Sequence, residues 1–319
     1  MLSRIGGIAL RRREASIFVA GCLLVLYFQF TTSVFVSYDN IGTLTQYAGA
    51  TAVLAAGEVM VLICGELDLS IGMVYALSPF LMYFAQQAGV PLVFAIILGL
   101  MGAALVGLIN GLITTLLKLP SFVTTLGTLF LINGFTLVIS GGFPVQPESS
   151  QAFANVMGGN AYFLIGWAIV IALILQYVLT QTRWGLHTIA VGGNLDGSTE
   201  AGIKVKSIKI RNFMLCSTLA GFAGMLDCFR IGSIDPLAGG NEIMFMAIAS
   251  AVIGGTLLTG GVGTIIGALF GAIVLGILKD GFTLSGVSAY TFDMILGGAI
   301  IVTMTINVHL NRLRERGRV

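Results

Sequence analysis

Apolar residues run along this chain in long blocks broken by short polar intervals. A helix rises about 1.5 Å per residue, so about 20 apolar residues cross the hydrocarbon core of a bilayer. Blocks of that order fall at 15–36, 42–64, 69–87, 92–117, 121–141, 161–180, 208–230, 241–258, 262–278 and 289–309. They predict an all-α polytopic membrane protein of about ten transmembrane helices. The first block is too long for a signal-peptide core and lacks an A-x-A cleavage signature, so it reads as a retained span.

Composition sharpens this expectation. Hydrophobic residues make up 56% of the chain and charged residues 9%, against roughly 25% charged in soluble domains. Glycine, at 43 of 319 residues, lets helix backbones approach closely in lipid and implies a compact bundle. The net charge of +2 is too small to point to nucleic acid. Cys22, Cys64, Cys216 and Cys228 lie inside apolar blocks with no CxxC or Cys/His spacing, so they read as packing residues and not as a metal site or disulfide frame. Ten spans put both termini on one side. With that side cytoplasmic, all sixteen Lys and Arg except Arg230 and Lys279 lie inside, as the positive-inside rule requires. The expected location is the cell (inner) membrane, multi-pass. The loop 142–160, with Pro144, Pro147 and Glu148 but no basic residue, then lies outside and can receive an extracytoplasmic partner.

The interval 182–207 is the one long polar stretch that is also basic, and a soluble partner is expected to dock there. Within it Asn194 caps a helix of about two turns containing Asp196 and Glu200, and Gly202 ends that helix in the left-handed conformation. A second feature is costly polarity. Glu58 sits in the middle of an apolar block and serves either a path through the protein or a hydrogen bond to a neighbouring helix. Asp227 and Arg230, three apart, form a self-satisfied ion pair near the outer boundary. Gly65-Glu-Leu-Asp-Leu-Ser-Ile-Gly72 breaks two apolar helices with two acids and a hydroxyl; flanking glycines permit the break, and such breaks line cavities in transporters. The stretches Gly99–Gly107 and Gly263–Gly271 echo each other five crossings apart, the arrangement of an inverted repeat of spans 2–5 and 7–10. No catalytic motif, cofactor site or phosphate-cradling loop is visible, so the chain is not expected to be an enzyme or to hydrolyse ATP itself.

Five motifs in order resemble the permease subunit of ribose-type sugar ATP-binding-cassette importers, the ribose/xylose/arabinose permease family. They are Leu67-Asp-Leu-Ser-Ile-Gly72, Gly107-Leu-Ile-Asn-Gly111, Leu119-Pro-Ser-Phe-Val-Thr-Thr-Leu-Gly-Thr128, Ala190-Val-Gly-Gly-Asn194 with Gly202-Ile203, and Val252-Ile-Gly-Gly255 with Gly260-Gly261 and Gly263. The resemblance implies a type II importer-like bundle, two cytosolic ATPase subunits and an extracytoplasmic sugar-binding protein. It also implies a homodimer, or a heterodimer with a related permease. It makes Asn194, Asp196, Glu200 and Gly202 a coupling helix for the ATPase. Glu58, Asp68, Ser70, Asn110, Phe122 and Thr124 become candidates for the translocation path. Departures from the family's usual residues occur at Glu58, Glu66, Asn133, Leu195–Ser198, Met244 and Met246, and they bear on which sugar is carried. Two other readings stand beside it: a lone secondary carrier or channel with Glu58 as its proton or ion site, and a related permease for nucleosides or branched-chain amino acids.

Overall fold

The computed structural model describes residues 13–288 and, beyond them, only 291, 294, 295, 297, 298, 301 and 305. The expected span 289–309, the Arg4–Arg12 leader and the Arg312–Arg318 tail lie outside that continuous stretch. The described chain is helical: α1 (Arg13–Thr32), α2 (Tyr38–Ile63), α3 (Ile71–Gln87), α4 (Leu92–Leu116), α5 (Ser121–Ser140), the single turn α6 (Gln151–Ala154) running into a π turn (Asn155–Gly159), α7 (Ala161–Gln181), α8 (Arg183–Gly193), α9 (Leu195–Glu200), α10 (Val205–Ile231), α11 (Gly240–Ile253) and α12 (Ile265–Leu284). Among the described residues six helices, α2, α4, α5, α7, α10 and α12, are long and apolar enough to cross a membrane. The apolar part of α1 and the whole of α11 are shorter.

Burial separates the helices by role. In α2 the run Ala48–Ile63 is buried throughout, as befits a helix that is hydrophobic all round and enclosed by others. In α4, α5 and α7 only about a quarter of the residues of the apolar stretch are buried, as befits helices with one face toward lipid. The most extensive contact joins α4 to α10, and glycines make it possible. A Cβ at Gly107 would stand 2.4 Å from the Phe213 carbonyl oxygen, and one at Gly224 only 1.9 Å from that of Tyr75 on α3.

The structure departs from the apolar-block reading in three places. The expected span 241–258 stops at Ile253, because Gly255, Gly260 and Gly261 adopt positive φ (93°, 86° and 77°) and turn the chain before Thr264 caps α12. Helix α12 then runs to Leu284, past the expected end at 278. Its charges there are satisfied, Lys279 by Glu242 at 2.6 Å and Asp280 by the Asn40 amide at 2.6 Å. Finally, α8 is a helix where only loop was expected before Asn194. It is capped by Thr182, whose hydroxyl accepts from the Gly185 N–H.

Candidate functional site

The break between α2 and α3 follows from Gly65, which takes φ 81° and lets the chain turn as soon as α2 ends. Gly72 does something else. Its φ is ordinary, but a Cβ there would lie 2.0 Å from the Gly240 carbonyl oxygen, so it permits close approach of α11 to α3. The freed backbone of the break is satisfied by side chains. Asp68 Oδ1 accepts from the Ser70 N–H at 2.9 Å and from the Ser70 hydroxyl at 2.6 Å, a local turn typical of Asp.

Around this turn the fold gathers polar groups from four helices. Asn110 on α4 donates to Ser70 Oγ at 2.9 Å and to Asp68 Oδ1 at 3.5 Å, and accepts the Thr128 hydroxyl of α5 at 2.7 Å. Ser217 on α10 donates to Asp68 Oδ2 at 3.4 Å. Glu58 on α2 accepts the Asp68 N–H at 3.2 Å and the Cys216 thiol at 3.3 Å. Glu58, Asp68, Ser70 and Asn110 are thus brought into one fully buried cluster. Thr124 is buried nearby, its carbonyl accepting the Thr128 hydroxyl at 3.0 Å. Phe122 stands apart, with 53% of its surface exposed. Ser217 and Thr128, which no sequence motif singled out for this role, complete the network.

The Asn194 helix takes shape at the same end of α2. The Asn194 side chain accepts from the Gly197 N–H at 2.9 Å and opens α9; Gly202, at φ 78°, closes it. Asp196 and Glu200 are exposed on its surface. Ile203, just beyond, packs against a small core of Cys64, Val191 and Ile208. Helix α8 beneath is fixed to the bundle. Trp184 donates to Asn212 Oδ1 at 2.8 Å, and Asn212 donates to the Met60 carbonyl at 3.0 Å. At its end a Cβ on Gly192 would stand 1.7 Å from the Ile63 carbonyl oxygen, which also accepts the Gly261 N–H at 2.8 Å. An ion pair between Glu66 and Lys209 adds a direct tie from the break to the first turn of α10. The exposed helix, α8 and the break are therefore one mechanically continuous unit. Among the described residues, no group of three or more His, Cys, Asp or Glu side chains is placed to hold a metal ion.

Residues 40–304 match the family model described as branched-chain amino acid transport system / permease component. The chain is 36% identical to the xylose/arabinose import permease protein XylH of Sulfolobus acidocaldarius, over 95% of this chain and 86% of that protein. It is 34% identical to the ribose import permease protein RbsC of Bacillus subtilis, over 88% of each. With the D-allose transport system permease protein AlsC of Escherichia coli it shares 30% identity, over 92% of this chain and 91% of that protein. No solved structure matches the chain.

Proposed function

This chain belongs to the branched-chain amino acid transport system / permease component family, and on that premise we propose that it is the membrane-spanning subunit of an ATP-driven monosaccharide importer. The chain forms the translocation path; two cytosolic ATPase subunits supply the work, and an extracytoplasmic binding protein delivers the sugar. Two permeases, either identical or related, make up the pore. The sugars in the relatives' names, xylose, arabinose, ribose and allose, favour a sugar over the amino acid in the family's description.

One observation carries the coupling role: a capped, exposed helix, α9, stands on α8, whose end has no room for even one methyl group against the end of α2. A push on α9 is thereby delivered to the helix break at Asp68. In this reading 182–207 is the cytosolic coupling segment, 142–160 the extracytoplasmic loop, and both termini are cytoplasmic. The inverted repeat gains support from a second break. Asp235 Oδ1 accepts the Leu237 N–H at 2.8 Å before α11, as Asp68 Oδ1 accepts the Ser70 N–H before α3. These are the third and eighth of the ten expected spans, five crossings apart.

Reconstitution tests the proposal. Liposomes holding this chain alone are expected to show no uphill uptake of D-xylose or D-ribose, and those holding it with its ATPase and binding protein to show uptake that stops without ATP. Uphill uptake by the chain alone would favour the lone carrier with Glu58 as its ion site.

A further inference from the structure

A second polar site lies at the far end of α10. The chain leaves α10 at Ile231, Gly232 turns it at φ 74°, and 233–239 return as non-helical backbone until α11 begins at Gly240. Gly239 and Gly240 are also at positive φ, 81° and 56°. This return reaches the start of α3, where a Cβ on Gly239 would stand 2.6 Å from the Gly72 carbonyl oxygen. The segment thus lies among the helices and not across their ends. At such depth unwound backbone is tolerated only where protein buries it or where it lines a cavity. Here it lines one: two adjoining hollows of about 250 and 290 Å³ share Tyr75, Asp227 and Gly239.

The larger hollow is ringed by polar groups from α2, α10, α11 and α12, with Tyr75 of α3 beside them. Helix α2 contributes Gln46, Tyr47 and Thr51. The charges are two acids and two bases, and they are already paired. Arg230 Nε donates to Asp227 Oδ1 at 2.7 Å, and Lys279 Nζ to Glu242 Oε1 at 2.6 Å. Arg230 also donates to Gln46 Oε1 at 3.3 Å, and the Lys279 ammonium stands 5.3 Å from the Tyr47 ring centroid. A ligand entering here meets no net charge, but it meets fixed donors, fixed acceptors and an aromatic face. A neutral polyol suits that set. An anion, a cation or a zwitterionic amino acid would have to compete with the ion pairs already formed.

We infer that the cavity between α2, α10, α11 and α12 is a binding site for a monosaccharide, distinct from the buried cluster around Asp68. The inference rests on the sugar-permease reading above and gives the sugar a place on the chain. The adjoining hollow, which shares Tyr75, Asp227 and Gly239 with this cavity, is tied to the surface through Ile234. Val145 and Ile234 exchange backbone hydrogen bonds at 2.9 and 2.7 Å, joining the 142–160 loop to the returning segment. A protein that docks on that loop acts on the wall of the adjoining hollow, one shared boundary away from the site.

Saturation-transfer NMR on the full chain in lipid nanodiscs tests this, with D-xylose, D-ribose and L-leucine as probes. The wild type is expected to saturate a sugar and not leucine. Gln46→Ala and Thr51→Val, which break neither ion pair, are each expected to weaken the sugar signal about fivefold, the effect of one lost hydrogen bond. Leu186→Ala, on α8, leaves it unchanged, and melting temperatures check that every variant is folded. No sugar signal in the wild type, equal signals in the wild type and both cavity variants, or saturation of leucine in place of the sugars would each overturn the site. A wrong cavity leaves ATP-driven uptake by the Gln46→Ala and Thr51→Val complexes at the wild-type rate. A wrong permease reading leaves the wild-type complex itself without uptake.

Discussion

A carboxylate survives away from water only where other groups take over water's hydrogen bonds, and Asp68 is surrounded by such groups. Ser70 supplies two donors, Asn110 and Ser217 one each. Each buried donor left without a partner costs roughly 1–3 kcal/mol. Asp68→Leu strands several at once and is expected to destabilise the folded chain by about 3 kcal/mol or more. Asp68→Asn keeps the acceptor for Ser70 and should cost no more than about 1 kcal/mol. Thermal unfolding of the purified variants in one detergent separates the two outcomes; equal losses would mean that the carboxyl group's hydrogen bonds do not matter. Glu58 makes the parallel case. Gln keeps one carbonyl oxygen, enough to accept the Asp68 N–H, whereas Leu removes the acceptors for both the Asp68 N–H and the Cys216 thiol, so Glu58→Gln is expected to melt above Glu58→Leu in the same assay. The local partner Ser70 was legible from its spacing in Asp-Leu-Ser. Asn110 and Ser217 were not, because 42 and 149 residues separate them from Asp68 and only packing brings them together.

At the level of elements, legibility followed the solvent. Lipid forces long apolar runs into helices, so α4 and α5 begin and end within a residue of their expected bounds. It gives no such instruction to α8, whose Trp184, Leu186, Ile189 and Val191 are interspersed with Gly185, His187, Thr188 and Gly192 in a run too short to cross a bilayer. Nor does it mark the 233–239 return, whose glycines read as an ordinary turn. Two glycines on the α8–α9 unit make contrasting predictions. Gly192→Ala places a methyl group against the Ile63 carbonyl, a backbone atom that cannot yield locally. The variant is expected to lose both thermal stability and any stimulation of ATP hydrolysis. A Cβ at Gly202 meets nothing within 4 Å, so only its φ of 78° is strained by a substitution, at a cost on the order of 1 kcal/mol or more. Gly202→Val should therefore insert normally, melt only a few degrees below the wild type and well above Gly192→Ala, and yet fail in coupling. A Gly202→Val chain that unfolds as readily as Gly192→Ala would show that α9 is part of the core and not a docking element.

At the scale of the whole molecule, the described chain presents two helix breaks and two kinds of polarity. The break before α3 is closed around Asp68, which is fully buried and hydrogen-bonded, with Glu66 paired to Lys209 at its edge. The break before α11 opens onto a cavity with paired charges. In the proposed orientation the sealed break lies nearer the ATPase side, beneath α8 and α9, and the open one nearer the binding protein. That asymmetry is what an importer at rest requires: a sugar can be received at one end while the other stays shut. The paired charges at Asp227 and Arg230 were legible from their spacing. The cavity they border was not, since Gln46, Glu242 and Lys279 each look like an ordinary polar residue near the end of a span.

The most direct measurement is ATP hydrolysis by the reconstituted complex, with and without sugar-loaded binding protein, for the wild type, Gly202→Val and a chain whose residues 194–202 are replaced by a flexible Gly/Ser linker. The account predicts stimulation by the loaded binding protein in the wild type alone, with normal membrane insertion of all three chains and loss of ATPase capture by the linker chain. Full stimulation in the linker chain would contradict it, because the stretch from Asn194 to Gly202 would then be only a loop.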